Sequence, residues 1–140
     1  MRVYLAGPYQ WKERLGIYRS ALLQAGLECT STWLDEAEKP DTQLHEVYEQ
    51  TLEKYAECDL EDVERADALV LFAVPPTDAP IPRAGRHVEF GYALALQIPI
   101  IVVGCKENIF HYLKRRVQHA ETWDAALATL INRSVLVTGR

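Results

Sequence analysis

The 140-residue sequence predicts an α/β fold: a single doubly wound parallel sheet of about five strands, of flavodoxin-like or Rossmann-like type. Three observations carry that prediction. Continuous apolar runs such as ALVLFAV (Ala68 to Val74) and IPIIVVG (Ile98 to Gly104) suit parallel strands covered on both faces. Segments with apolar residues at helical spacing alternate with these runs. Strand candidates also end in Gly or Pro, as at Gly7–Pro8 and Pro75–Pro76, which marks delivery of a buried strand into a loop.

The elements follow in order. Val3 to Ala6 is a short buried strand. Leu15, Tyr18, Leu22 and Leu23 recur at helical spacing across Lys12 to Gln24, and Gly26 provides a stop. Leu27 to Trp33 forms a second strand. Asp35 to Thr42 is acidic and contains Pro40, so it is a loop, and Gln43 to Arg65 is a helix with a break near Cys58. The strong strand from Ala68 leads into a proline-rich loop reaching Ala84. GRHVEFGYALAL then places Val88, Tyr92 and Leu96 or Ala95 at helical spacing. After the strand from Ile98 come a helical piece around Ile109 to Leu113, an edge strand near Gln118 to Thr122, and a helix from Trp123 to Ile131. One domain spans residues 1–133, and 134–140 form a tail.

Composition narrows the classes of function. With 49% hydrophobic and 25% charged residues, the chain can bury one core, and its length does not suggest two domains. A net charge of -5 and a pI near 5.4 argue against a nucleic-acid polymer as partner, so any anionic ligand must meet a local basic pocket. Cys29, Cys58 and Cys105 lack metal-knuckle spacing and do not form a disulfide framework, which leaves free thiols. The opening MRVYLAGPYQW is too short an apolar run for a signal peptide or a membrane span, and a cytoplasmic protein without a membrane partner is expected.

In a doubly wound sheet, ligands sit beyond the carboxyl ends of the strands. Glu89 stands about one turn into the helix that starts at that edge. A carboxylate there can attack the anomeric carbon of a sugar, form a glycosyl ester and pass the sugar to water or another acceptor. It can equally be a solvated glutamate favoured by the helix N-terminus. Its neighbours Val88, Phe90, Gly91 and Tyr92 make an apolar setting, and Gly91 would permit close backbone approach.

A second acid is needed for the leaving base, and CDLEDVERAD offers Asp59, Asp62 and Asp67. The helix before a parallel strand runs antiparallel to it, and Asp67 lies eight residues beyond Asp59, about 12 Å down the axis. Asp59 is therefore the better candidate, or else a helix cap, while Asp67 suits the strand entrance. Gly7, Pro8 and Tyr9 form the first turn at the active edge, where backbone can approach a ligand and a ring can stack on a base; an ordinary turn has the same composition. Trp33 could wall the base or pack under the acidic loop, and Tyr4 could bond a carboxylate or fill the core. Arg83, Gly85, Arg86 and His87 could hold a phosphate at the helix start or form a surface basic cluster. His45, His111 and His119 are scattered, and neither a GxGxxG fingerprint nor a P-loop is present.

Taken together, VYLAGPY, DLEDVERADALVLFAV and GRHVEFGYALALQIPIIVVG resemble the nucleoside 2-deoxyribosyltransferase superfamily, which includes hydrolases of nucleoside 5′-monophosphates. The likeness covers about Arg2 to Gly104. It implies that Glu89 is the nucleophile, that Asp59 opens its helix and assists base departure, and that Gly7, Pro8 and Tyr9 contact base and sugar. It further implies a nucleoside or nucleotide substrate, no metal or organic cofactor, and a homodimer or larger homo-oligomer. RAGRHVE replaces the small-residue run of the best-known transferases, and its Arg83 and Arg86 suit a phosphorylated substrate. QWKER lacks the glycine-rich basic stretch of the monophosphate hydrolases, for which Arg14 is a partial substitute. A noncatalytic nucleotide-binding module on the same fold is the alternative class. Acid at position 89 argues against it, because a pure anion pocket gains nothing from a carboxylate.

Overall fold

The computed structural model describes residues 1–36, 45–76 and 84–138. Nine regular elements follow one another: β1 (Arg2–Ala6), α1 (Lys12–Gln24), β2 (Glu28–Cys29), α2 (His45–Glu64), β3 (Ala68–Phe72), α3 (Gly85–Ala95), β4 (Ile100–Val103), β5 (Val117–Ala120) and α4 (Trp123–Thr138). Short 3-10 turns lie at Tyr9–Trp11, Thr32–Asp35 and Ile109–Tyr112. The strands form one parallel sheet in the order β2-β1-β3-β4-β5, the flavodoxin-like order, with β5 at an edge as its sequence predicts.

The layering follows from connection handedness. From β1 the chain crosses to β2 in one direction through α1, and from β2 it returns past β1 to β3 through α2, so right-handed crossovers place α1 and α2 on opposite faces. On the α1 face, Tyr18 stacks on Phe72 of β3 at 5.1 Å and on Trp123 of α4 at 4.8 Å, which fixes α4 beside α1. α2 and α3 pack together on the other face, with α3 over β1, β3 and β4. Both faces of the central strands are covered, and every residue of β3 is buried. That burial is why ALVLFAV has no alternation to read.

Three segments differ from the sequence expectation. β2 keeps only two ladder residues, because side chains take over where the strand would continue. Thr30 N–H still bonds the Val3 carbonyl at 2.9 Å, but Leu5 N–H donates to Ser31 Oγ at 2.7 Å and the Trp33 indole donates to the Leu5 carbonyl at 2.9 Å. α2 runs unbroken through Cys58. α4 does not stop near Ile131 but continues to Thr138, so most of the expected tail is helical. Residues 77–83 of the proline-rich loop, Arg83 among them, lie outside the described residues. No helix among those described is long and apolar enough to cross a membrane.

Candidate active site

The sheet's switch point falls between β1 and β3, whose following connections depart in opposite directions and leave a crevice at their carboxyl ends. Three side chains from three elements meet there. Tyr4, from β1, is fully buried, and its hydroxyl faces Glu89 without closing a hydrogen bond of ordinary geometry. Burial first, then the charges of Glu89 and Asp59, push Tyr4 well above the usual phenol range, so it stays a proton donor. Glu89 comes from α3 and Asp59 from α2. Burial is the main reason Glu89 is pushed up to about 8, and the neighbouring Asp59 is the next. The Tyr4 hydroxyl acts the other way, and Glu36 and Asp62 add smaller upward contributions. Glu89 is thus a clustered, partly buried acid and not a solvated helix carboxylate.

The local reasons differ from those the sequence suggests. Glu89 lies on the stripe of α3 that carries the buried residues Arg86, Phe90 and Ala93. Val88 is 65% exposed, and a Cβ added at Gly91 would meet nothing within 4 Å among the described residues. These chain neighbours therefore do not build the acid's environment, and Gly91 does not serve a close approach. Asp59 also does not open a helix: it stands about four turns into the continuous α2, which removes its reading as an N-terminal cap. Asp67 is confirmed at the opposite edge, where its carboxylate accepts from Arg2 N–H at 2.8 Å.

Asp62 acts beneath this cluster. Its buried carboxylate accepts from the Thr32 N–H at 2.8 Å and from the Thr32 hydroxyl at 2.5 Å, and pairs with Arg65. It thereby ties α2 to the turn that carries Trp33. Trp33 is only 6% exposed and its indole N–H is committed to the Leu5 carbonyl, so the ring is packed into the core. Tyr9 tilts against it with centroids 6.4 Å apart. Gly7 stands close to Leu15 at the β1 exit, where an added Cβ would lie 2.9 Å from Leu15 Cδ2 and force that side chain to turn; Pro8 beside it is buried. Lys12 sits 5.3 Å from the Tyr9 ring centre and donates to the Glu36 carbonyl, joining the first turn to the acidic rim.

The basic candidates gather elsewhere. Arg86 is buried and paired with Glu107 at 2.8 Å, and His87 Nε2 lies 3.2 Å from the same carboxylate. Burial, then the adjacent Arg86 charge, lowers the His87 pKa. Glu107 also accepts from Val74 N–H. Burial alone would raise its pKa, but Arg86 and the Val74 N–H bring it below the ordinary carboxylate value. His111 is buried, and its Nδ1 accepts from Glu107 N–H at 3.0 Å. Gly85 begins α3 with open space beside it, and the exposed Arg14 lies over the Trp11 ring at 4.3 Å. The structure therefore joins Tyr4, Asp59 and Glu89, joins the β1 turn with Trp33, and directs Arg86 and His87 to Glu107. Sequence reading missed Glu107, although a carboxylate closely following a strand exit is a usable signal.

No curated protein sequence matches the chain. The family profile described as nucleoside 2-deoxyribosyltransferase matches residues 3–126. The chain belongs to the nucleoside 2-deoxyribosyltransferase family. Solved structures share the fold. One is the CMP N-glycosidase BcmB of Clostridium botulinum, with a TM-score of 0.57 and 20% identity, covering 93% of this chain and 98% of that one. Another is a 2-deoxyribosyltransferase of Bacillus psychrosaccharolyticus, with a TM-score of 0.61 and 20% identity, covering 91% and 90% respectively.

Proposed function

We propose that this family member cleaves the N-glycosidic bond of a nucleoside or nucleotide through Glu89, passing the sugar to another base or to water. The observation that carries the reading is the placement of Glu89 beside Asp59 and Tyr4 in the switch-point crevice, with its pKa pushed up to about 8. Glu89, buried beside Asp59, keeps its proton through neutrality in the resting site. In the reactive arrangement Asp59 holds that proton and Glu89 is the carboxylate. Glu89 forms a bond to the anomeric carbon as the carbon–nitrogen bond breaks, and its electron pair leaves with the base. Asp59 supplies the proton that neutralises the departing nitrogen. An acceptor base or water then attacks the anomeric carbon of the glycosyl ester, giving its proton to Asp59 as the bond to Glu89 breaks, which restores both carboxyl groups. Tyr4 positions the Glu89 carboxyl.

The described residues suit an uncharged nucleoside best, since Glu36, Asp59, Asp62 and Glu89 make the crevice acidic. A 5′-monophosphate is the second reading. It rests on Arg86, whose Nε and Nη1 have no hydrogen-bond partner among the described residues. Nucleosides and 5′-monophosphates are incubated with the protein, with and without an acceptor base. Base release that needs an acceptor identifies transfer, and release without one identifies hydrolysis. Release that survives Glu89→Ala removes the catalytic assignment, and calorimetric binding of substrates with no turnover favours a binding module.

A further inference from the structure

The sheet edge opposite the crevice holds a cavity of about 660 Å³ at the start of β4 and β5. Its apolar lining includes Ile98 and Val117, and its charged lining is Lys114, Arg115, Arg116 and Arg133. Four of the chain's 15 Lys and Arg residues thus surround one concavity in a protein of net charge -5. Among the described residues no carboxylate lines it, and none of the four forms an ion pair.

Local structure explains two of these cations at most. Arg116 donates to the Leu94 carbonyl and so caps the C-terminal end of α3, a position that favours a cation. Arg133 donates to Gln118 Oε1 at 3.1 Å, which satisfies one donor and leaves the charge unopposed. Lys114 and Arg115 are exposed on the turn before β5, with no hydrogen bond to another described residue. Like charges around one concavity repel one another, and an anion between them removes that cost. The rim also contains Gln97, a non-glycine residue at φ 59 just after α3, where glycine is the residue of least strain.

We propose that this cavity is a second, noncatalytic site for a small organic phosphate. The phosphate lies among Lys114, Arg115 and Arg133, and the organic body lies on the apolar lining. A concavity of this volume accommodates a ligand of nucleotide size, and cations above an apolar floor match the two parts of such a molecule. The site does not depend on the activity assigned to Glu89, because the two lie at opposite edges of the sheet.

Calorimetric titration of the full chain with ADP and with inorganic pyrophosphate, at about 0.15 M salt to suppress diffuse attraction, tests the proposal. ADP is expected to bind at least about fivefold more tightly than pyrophosphate, because only ADP carries an organic body. The double substitution Lys114→Glu with Arg115→Glu is expected to weaken ADP binding roughly 30-fold, as loss of two charge-assisted contacts implies. Glu89→Gln should leave it within about twofold. The neutral pair Lys114→Gln with Arg115→Gln gives the same direction of change, and an unchanged melting temperature shows that either variant is folded. No ADP binding, pyrophosphate binding as tightly as ADP, affinity unchanged by both double variants, or loss through Glu89→Gln alone would each overturn the site.

Discussion

Glu89 derives its character from being buried next to another acid, and that has two measurable consequences. The first concerns pH and rate. If the proton held by Glu89 passes to Asp59 and on to the base, kcat/KM is level near neutrality and falls as pH rises through about 8, where Glu89 loses that proton. In Asp59→Asn the proton source is gone, so the rate drops by about 10²-fold or more, and what remains rises with pH as Glu89 ionises. A wild-type rate that climbs through pH 8 would show that Asp59 is not the donor. The second consequence concerns stability. A carboxyl whose pKa is raised from 4.5 to about 8 on folding keeps its proton in the native state while the unfolded chain loses it. Stability therefore declines as pH rises from about 4.5 to 8, with an upper limit near 5 kcal/mol. Glu89→Gln removes that linkage. Its unfolding free energy should equal the parent's below pH 4.5 and exceed it increasingly up to pH 8; a constant offset across that range contradicts the burial of the acid.

At the scale of elements, two glycines in the sequence motifs have opposite physical roles. Gly7 faces Leu15 so closely that Gly7→Ala forces the leucine to turn, at about 1–2 kcal/mol. Gly91 is exposed within a helix, so Gly91→Ala should stabilise by about 0.5–1 kcal/mol and leave activity unchanged. Urea unfolding of both variants checks the pair, and destabilisation by Gly91→Ala would mean that the outer face of α3 is covered. The error over Gly91 shows where sequence reading stops: adjacent helix residues lie about 100° apart and need not share surroundings. Periodicity served well for α1, read as Lys12 to Gln24 and found over those residues, and continuous apolar runs located β1, β3 and β4. The second strand was found but read too long, because Ser31 and Trp33 satisfy Leu5 with side-chain groups that leave no periodic signature. The order of the strands, which brings Tyr4, Asp59 and Glu89 together, is one of two that the sequence reading left open, and Asp62 and Glu107 make contacts 21 to 33 residues away that no local pattern encodes.

Across the whole molecule, Glu107 is the point where the sheet and the helix bearing Glu89 are joined. It follows β4, accepts from Val74 just after β3, and pairs with Arg86 and His87 in the first turn of α3. Glu89 is only three residues farther along that helix, so the clamp fixes where the carboxyl stands over the crevice. Glu107→Gln keeps the size of the side chain but leaves the buried Arg86 charge uncompensated, which should cost roughly 3 kcal/mol. Urea unfolding should show a lower midpoint with an unchanged slope, and kcat should fall with the loss of α3 position. Adding Arg86→Met removes the orphaned charge and fills similar space, so the double variant should regain most of the stability. Activity need not return with it, because the methionine cannot hold α3 to the β4 exit as the ion pair does. A Glu107→Gln protein within about 0.5 kcal/mol of the parent, or a double variant no more stable than the single one, would show that the position of α3 is set by the apolar packing of its own Phe90 and Ala93.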